Sequence, residues 1–201
     1  GTVRAVPVQS EDESATGGQY SSRRYKHLER IDYDALRDFV VFVDQEVPAP
    51  PPPSPPPVAL VQRDGAFTPR VLAVALGTTV RFPNEDDILH NVFSISDPAS
   101  FDLGLHGRDD PVQQFTFRER GRVDLFCSIH PRMTSVVYVT PNAWFAKTDA
   151  RNRWRLPELP AGTYRLRVWH ERTAGTSIEI EVPAAGEVRL DLLVGPGAPK
   201  R

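Results

Sequence analysis

Beyond residue 58 the chain is built of short apolar alternations with a period of two residues. Val80 and Phe82 share a face, as do Phe115 and Phe117, and as do Val123, Leu125 and Cys127. From 141 onward the pattern continues through Trp154 and Leu156, then Tyr164, Leu166 and Val168, then Ile178, Ile180 and Val182, then Val188, Leu190 and Leu192, with no sustained helical period. Successive strand residues point to opposite faces, so these are half-buried strands. Gly77, Pro83-Asn84 and Gly121 mark turns between them. Closely spaced strands of this kind predict an all-β sandwich architecture.

Eight prolines fall in the ten positions 48–57. Proline cannot donate to a strand ladder, so this stretch reads as a linker or polyproline II spacer. Ahead of it, Thr2 to Val8 and Phe39 to Val43 have strand composition. Glu11 to Gln19 is polar and mobile in character, and Ser22 to Leu36 suits a short helix or an irregular arm. The organisation expected is one β unit over 58–140, flanked by 1–47 and 141–201, with 48–57 as the linker. At 201 residues there is room for one domain or two small ones.

Twenty-six acidic against 24 basic residues give no support to nucleic-acid binding. No apolar run reaches membrane-spanning length. A single cysteine excludes an intramolecular disulfide and leaves a free thiol or a metal ligand. The chain starts at Gly1 without a charged or apolar leader, so a secretory signal is expected to have been removed already.

The chemistry concentrates in Cys127-Ser-Ile-His130-Pro-Arg-Met133. Cys127 ends a strand whose inward residues are Val123 and Leu125, so its sulfur starts from a dry position. His130 and Met133 follow three and six residues on, and one turn brings thiol, imidazole and thioether around a point. His90, from another strand, completes a set of two nitrogens, one thiolate sulfur and a weak axial sulfur. That set selects copper in a trigonal arrangement with a long axial ligand. Taken singly, a strand-end cysteine is a small buried hydrophobe and a methionine is packing. The sole cysteine, the sole methionine and two of five histidines in this order favour the site.

With these residues in place, 58–140 resembles the cupredoxins, the blue copper proteins, with an amicyanin-like C-x-x-H-P-x-M loop. Gly77-Thr-Thr-Val-Arg-Phe, then Asn84, then His90-Asn91-Val92 is similar to the family's approach to its first histidine ligand. The resemblance implies a Greek-key sandwich and one mononuclear type 1 copper held by His90, Cys127 and His130, with Met133 axial. It implies that Asn91 ties the two ligand loops together by hydrogen bonds. Asn91 also reads as a simple turn residue. The family's docking surface is apolar and surrounds the edge of the second histidine, here His130 with Pro131, where Arg132 adds a charge. A redox partner such as a cytochrome or dehydrogenase would dock there. The flanks, with Phe145 to Asp149 and Trp154 to Val168, resemble the carboxypeptidase regulatory-like, transthyretin-like β-sandwich module, so a second Ig-like/transthyretin-like sandwich is expected, with the copper unit inserted between its early and late strands.

Other features admit blander readings. Glu85-Asp86-Asp87 and Asp109-Asp110 suit a solvated turn or a collar for a basic partner. His106 reads as a loop residue between Gly104 and Gly107, and His170 as a hydrogen-bonded structural histidine, because Ala174 breaks an H-E-x-x-H motif. His27 falls in the arm. No H-x-H pair, C-x-x-x-C pair, G-x-S-x-G elbow or phosphate loop occurs. The reading is an extracytoplasmic one-electron carrier or redox subunit, periplasmic or at the cell surface, and not an enzyme. The competing class is copper storage or delivery, or a structural module in an envelope assembly. Zinc is chemically allowed but suits the ligands less well.

Overall fold

The computed structural model describes residues 1–7, 31–48 and 57–196. The Glu11 to Gln19 stretch, His27, positions 22–30 of the arm and positions 49–56 of the proline run lie outside the described residues.

The described chain is all-β, with no helix among its residues. Its strands are β1 (Thr2–Ala5), β2 (Val40–Val43), β3 (Val58–Ala59), β4 (Val61–Arg63), β5 (Ala66–Thr68), β6 (Val71–Ala75), β7 (Thr79–Phe82), β8 (His90–Ser96) and β9 (Ala99–His106). They continue as β10 (Gln113–Thr116), β11 (Gly121–Phe126), β12 (Thr134–Thr140), β13 (Phe145–Lys147), β14 (Gly162–Trp169), β15 (Thr176–Val182) and β16 (Asp191–Val194). No described helix is long and apolar enough to cross a membrane.

One sandwich sets the sheet β6-β12-β11-β8-β9 against β10-β7-β3, with the β4-β5 hairpin at its side. The alternation expected at Val80, Phe82, Val123 and Leu125 is met: all four are fully buried, with Phe117, Val137 and Val139, in one core cluster. Burying each such side chain contributes about 1.5–3 kcal/mol. The second sandwich uses both ends of the chain. β2 pairs antiparallel with β13 and β14 in the sheet β13-β2-β14-β15, and β1 pairs parallel with β16.

Two details depart from the simple alternation. Trp154 and Leu156 form no strand, because Pro157 and Pro160 interrupt the stretch; Trp154 instead packs as a plug whose Nε1 donates to the Thr2 carbonyl. Val188 and Leu190 precede β16 rather than lying in it. β12 is buried on both faces. Its Val137 and Val139 enter the first core, while Tyr138 joins Val71, Val40 and Phe42 in a cluster between the two sandwiches. There the Tyr138 ring stacks on Trp169 with centroids 4.3 Å apart, and Arg70 pairs with Glu171 at 2.9 Å.

Candidate metal centre

β11 delivers Cys127 at its end, and β8 begins at His90. The two strands are neighbours, with Phe126 opposite Phe93, so the first histidine lies beside the cysteine loop. That loop closes on itself: the Cys127 N–H donates to the Met133 carbonyl at 3.2 Å, and the Met133 N–H donates to the His130 carbonyl at 2.8 Å. One donor atom each from His90, Cys127 and His130 falls within 4.8 Å of the others. The two Nδ1 atoms are 3.0 Å apart, and Cys127 Sγ is 3.6 Å from His130 Nδ1. His90, Cys127 and Met133 are buried and His130 is half-buried, so of these four side chains His130 alone reaches solvent. Met133 packs in the same apolar cluster as Cys127.

The turn before β8 orients His90. Its Nε2 is 2.8 Å from Asp86 Oδ2. Asp86 also accepts the backbone N–H groups of Asp64 at 2.7 Å and Gly65 at 2.9 Å, in the β4-β5 turn. Burial pushes this carboxyl up, but the bonds from Gly65, His90 and Asp64 outweigh it and hold it below the ordinary carboxylate value. An ionised carboxylate only accepts, so Nε2 carries a hydrogen toward Asp86, and Nδ1 is the ring nitrogen that faces His130. Two imidazole nitrogens and a sulfur converging in a dry pocket fit copper or zinc, and do not fit cations that require oxygen ligands.

Asn91 follows His90 in β8 and reaches the segment after Cys127. Its Oδ1 accepts the Ser128 N–H at 3.0 Å, immediately after Cys127.

Several solved structures match part of this chain. A reduced Cu(I) form of an amicyanin variant is 24% identical, with 43% of this chain and 84% of that chain covered and a TM-score of 0.39. The copper-containing nitrite reductase of Thermus scotoductus SA-01 is 32% identical over 43% of this chain, with a TM-score of 0.39, and the match spans only 23% of the reductase. The purple cupredoxin of Nitrosopumilus maritimus is 25% identical, with 41% of this chain and 99% of that chain covered and a TM-score of 0.36. No family model and no curated protein matches the sequence.

Of the remaining polar residues, Asp86 and His106 depart from expectation, and His170 meets it as a buried, hydrogen-bonded histidine. Asp86 points inward to His90 rather than into solvent or a collar, while Asp87 stays exposed, as a solvated turn requires, and pairs with Arg108 at 2.8 Å, and Glu85 pairs with Arg63. Nothing in the acidic run alone marks Asp86, because the two N–H groups that hold it inward come from the β4-β5 turn. His106 is no loop residue. It ends β9, opposite His90 and 3% exposed, with Nε2 3.0 Å from Gln62 Nε2. Gly104, which suggested the loop, lies inside that strand. His170 stands in the second sandwich, its ring 4.6 Å from Phe39 and its Nδ1 accepting the Arg172 N–H at 3.1 Å. Burial pushes its imidazole below the ordinary value.

Proposed function

We propose that this chain is a mononuclear copper protein that carries single electrons, as a free carrier or as a redox subunit. The observation that carries the reading is the buried convergence of His90 Nδ1, Cys127 Sγ and His130 Nδ1 within 4.8 Å. His90, Cys127 and His130 would hold the ion and Met133 would supply the weak axial sulfur. A copper ion bound there supplies a centre that alternates between Cu(I) and Cu(II).

The protein's own part is to keep the donors fixed in both states. The doubly bonded Cys127–Met133 loop, the Asp86 grip on His90 and the Asn91 bridge to Ser128 do this before any ion arrives. Low exposure keeps water out.

Electrons would pass through the His130 edge to a partner protein. Ile88, Leu89, Leu105 and Ile129, each about half exposed, lie in or beside the segments that would carry the ligands, and the exposed Pro131 is followed by the exposed Arg132. Such a patch suits brief docking of another redox protein. The setting would be extracytoplasmic, and no chemical turnover of a substrate is assigned to the site. The test is the visible and electron paramagnetic resonance spectrum of the copper-loaded protein, with Cys127→Ser as its control. Storage or delivery without redox turnover is the outcome if copper binds without a thiolate band.

A further inference from the structure

We propose that Asp102 is a positioning residue for this centre, brought to it by a β-bulge in β9 and acting through Asn91 on the Cys127 loop. Its consequence at the metal rests on the copper reading; its structural part does not.

The register between β8 and β9 carries the argument. His90 opposes His106 and Asn91 opposes Leu105, but Phe93 opposes Asp102. One residue, Val92, therefore faces two, Leu103 and Gly104. In an unbroken ladder Leu103 would oppose Phe93, and Asp102 would fall on the other face with Ser94. The extra residue moves Asp102 to the face shared by Asn91 and Phe93, as bulges beside functional sites re-aim side chains.

The bulge is built and satisfied by specific residues. Gly104 has φ +76°, where a side chain is strained, although a Cβ there would meet nothing within 4 Å. Backbone conformation, not space, is what selects glycine. The Gly104 N–H donates to Asp102 Oδ1 at 2.9 Å, and the Leu103 carbonyl accepts Gln113 Nε2 at 2.5 Å.

Asp102 Oδ1 also accepts Asn91 Nδ2 at 2.6 Å. This contact decides which way the buried Asn91 amide faces. A carboxylate accepts only, so a flipped amide would set oxygen against oxygen. With its nitrogen held by Asp102, Asn91 must present Oδ1 to the Ser128 N–H, next to Cys127. The chain of dependence runs from the Gly104 bulge to Asp102, to Asn91, to the backbone that aims the sulfur.

The test is amide hydrogen exchange at Ser128 in the metal-free full chain, followed by NMR. Asp102→Ala should speed exchange at Ser128 about tenfold or more, the scale of a lost charge-assisted bond. Asp102→Asn, which keeps an acceptor oxygen, should restore it to within about twofold. Gly104→Ala should act in the same direction as Asp102→Ala by straining the bulge. In copper-loaded protein, Asp102→Ala should also shift the thiolate band while Asp102→Asn does not. Unchanged exchange at Ser128 in both Asp102→Ala and Gly104→Ala overturns the proposal. So does an Asp102→Asn variant that behaves like the alanine, which would make the effect one of charge alone. If the wild type shows no thiolate band, the copper reading fails, and the exchange data still decide the role of Asp102.

Discussion

His90 Nε2 stands 2.8 Å from Oδ2 of Asp86, four residues earlier and outside any helix. The carboxylate reaches inward because the Asp64 and Gly65 N–H groups of the neighbouring hairpin turn hold it there. The contact places a hydrogen on Nε2 and leaves Nδ1 facing His130 Nδ1 at 3.0 Å. The imidazole's orientation is thereby fixed without any ion.

Removing that contact should weaken metal binding without unfolding the chain. Asp86→Ala is expected to lower copper affinity by about 10–100-fold, the range for second-sphere partners of ligating histidines. Asp86→Asn, which retains an acceptor, should lose less. Competition titration against a chelator of known affinity measures both, and an unchanged affinity in the alanine variant removes Asp86 from the site.

Met133 is buried beside Cys127 at the end of the closed loop. Met133→Gln should keep the copper and lower its reduction potential, because a stronger axial oxygen favours the cupric state. Protein-film or solution voltammetry gives the value. A potential equal to that of the wild type takes the axial role away from Met133.

The stacked Tyr138 and Trp169 join the two sandwiches. Tyr138→Ala should destabilise the protein by about 3 kcal/mol or more, as large-to-small changes in packed aromatic clusters do. A double-mutant cycle with Trp169→Ala should give a coupling of about 0.5–1.5 kcal/mol. Denaturant titration provides the numbers. Additive effects would mean that the rings touch without supporting one another.

Stability should fall in acid. Asp149 accepts the Arg153 backbone N–H, the Arg153 guanidinium and the Arg151 N–H, which hold its carboxyl down to about 2 against an ordinary 3.8. The Thr2 hydroxyl lowers Asp191 in the same direction. A carboxyl with a lower pKa when folded takes up protons more readily when unfolded. Its contribution is complete above about pH 4 and is lost as the pH falls toward 2. Urea midpoints measured across that window should drop with pH, and Asp149→Asn should flatten the drop. An identical slope in the variant would show that its hydrogen bonds do not survive in solution.

How far the site was readable in the sequence depended on how local its contacts are. Cys127, His130 and Met133 sit in one seven-residue loop, so their spacing speaks for itself. The alternation at Val80, Phe82, Val123 and Leu125 is likewise a local pattern, and it marked the core. Asp86 looked like one member of a solvated acidic run because its orientation depends on a turn some twenty residues upstream in the chain. His106 looked like a loop residue because Gly104 resembles a strand terminator, whereas here it forms a bulge within β9. β12 carries no simple alternation, since TSVVYVT is covered by a core on one face and by the second sandwich on the other. Each of these depends on which strand becomes a neighbour, and no single segment encodes that.

The most direct test of the copper reading is the visible absorption and electron paramagnetic resonance spectrum of the oxidised, copper-loaded protein beside its Cys127→Ser variant. An intense thiolate-to-copper band and a narrow copper hyperfine splitting are expected in the wild type, both lost in the variant while the fold remains. A wild type that binds copper stoichiometrically yet stays colourless would contradict that reading.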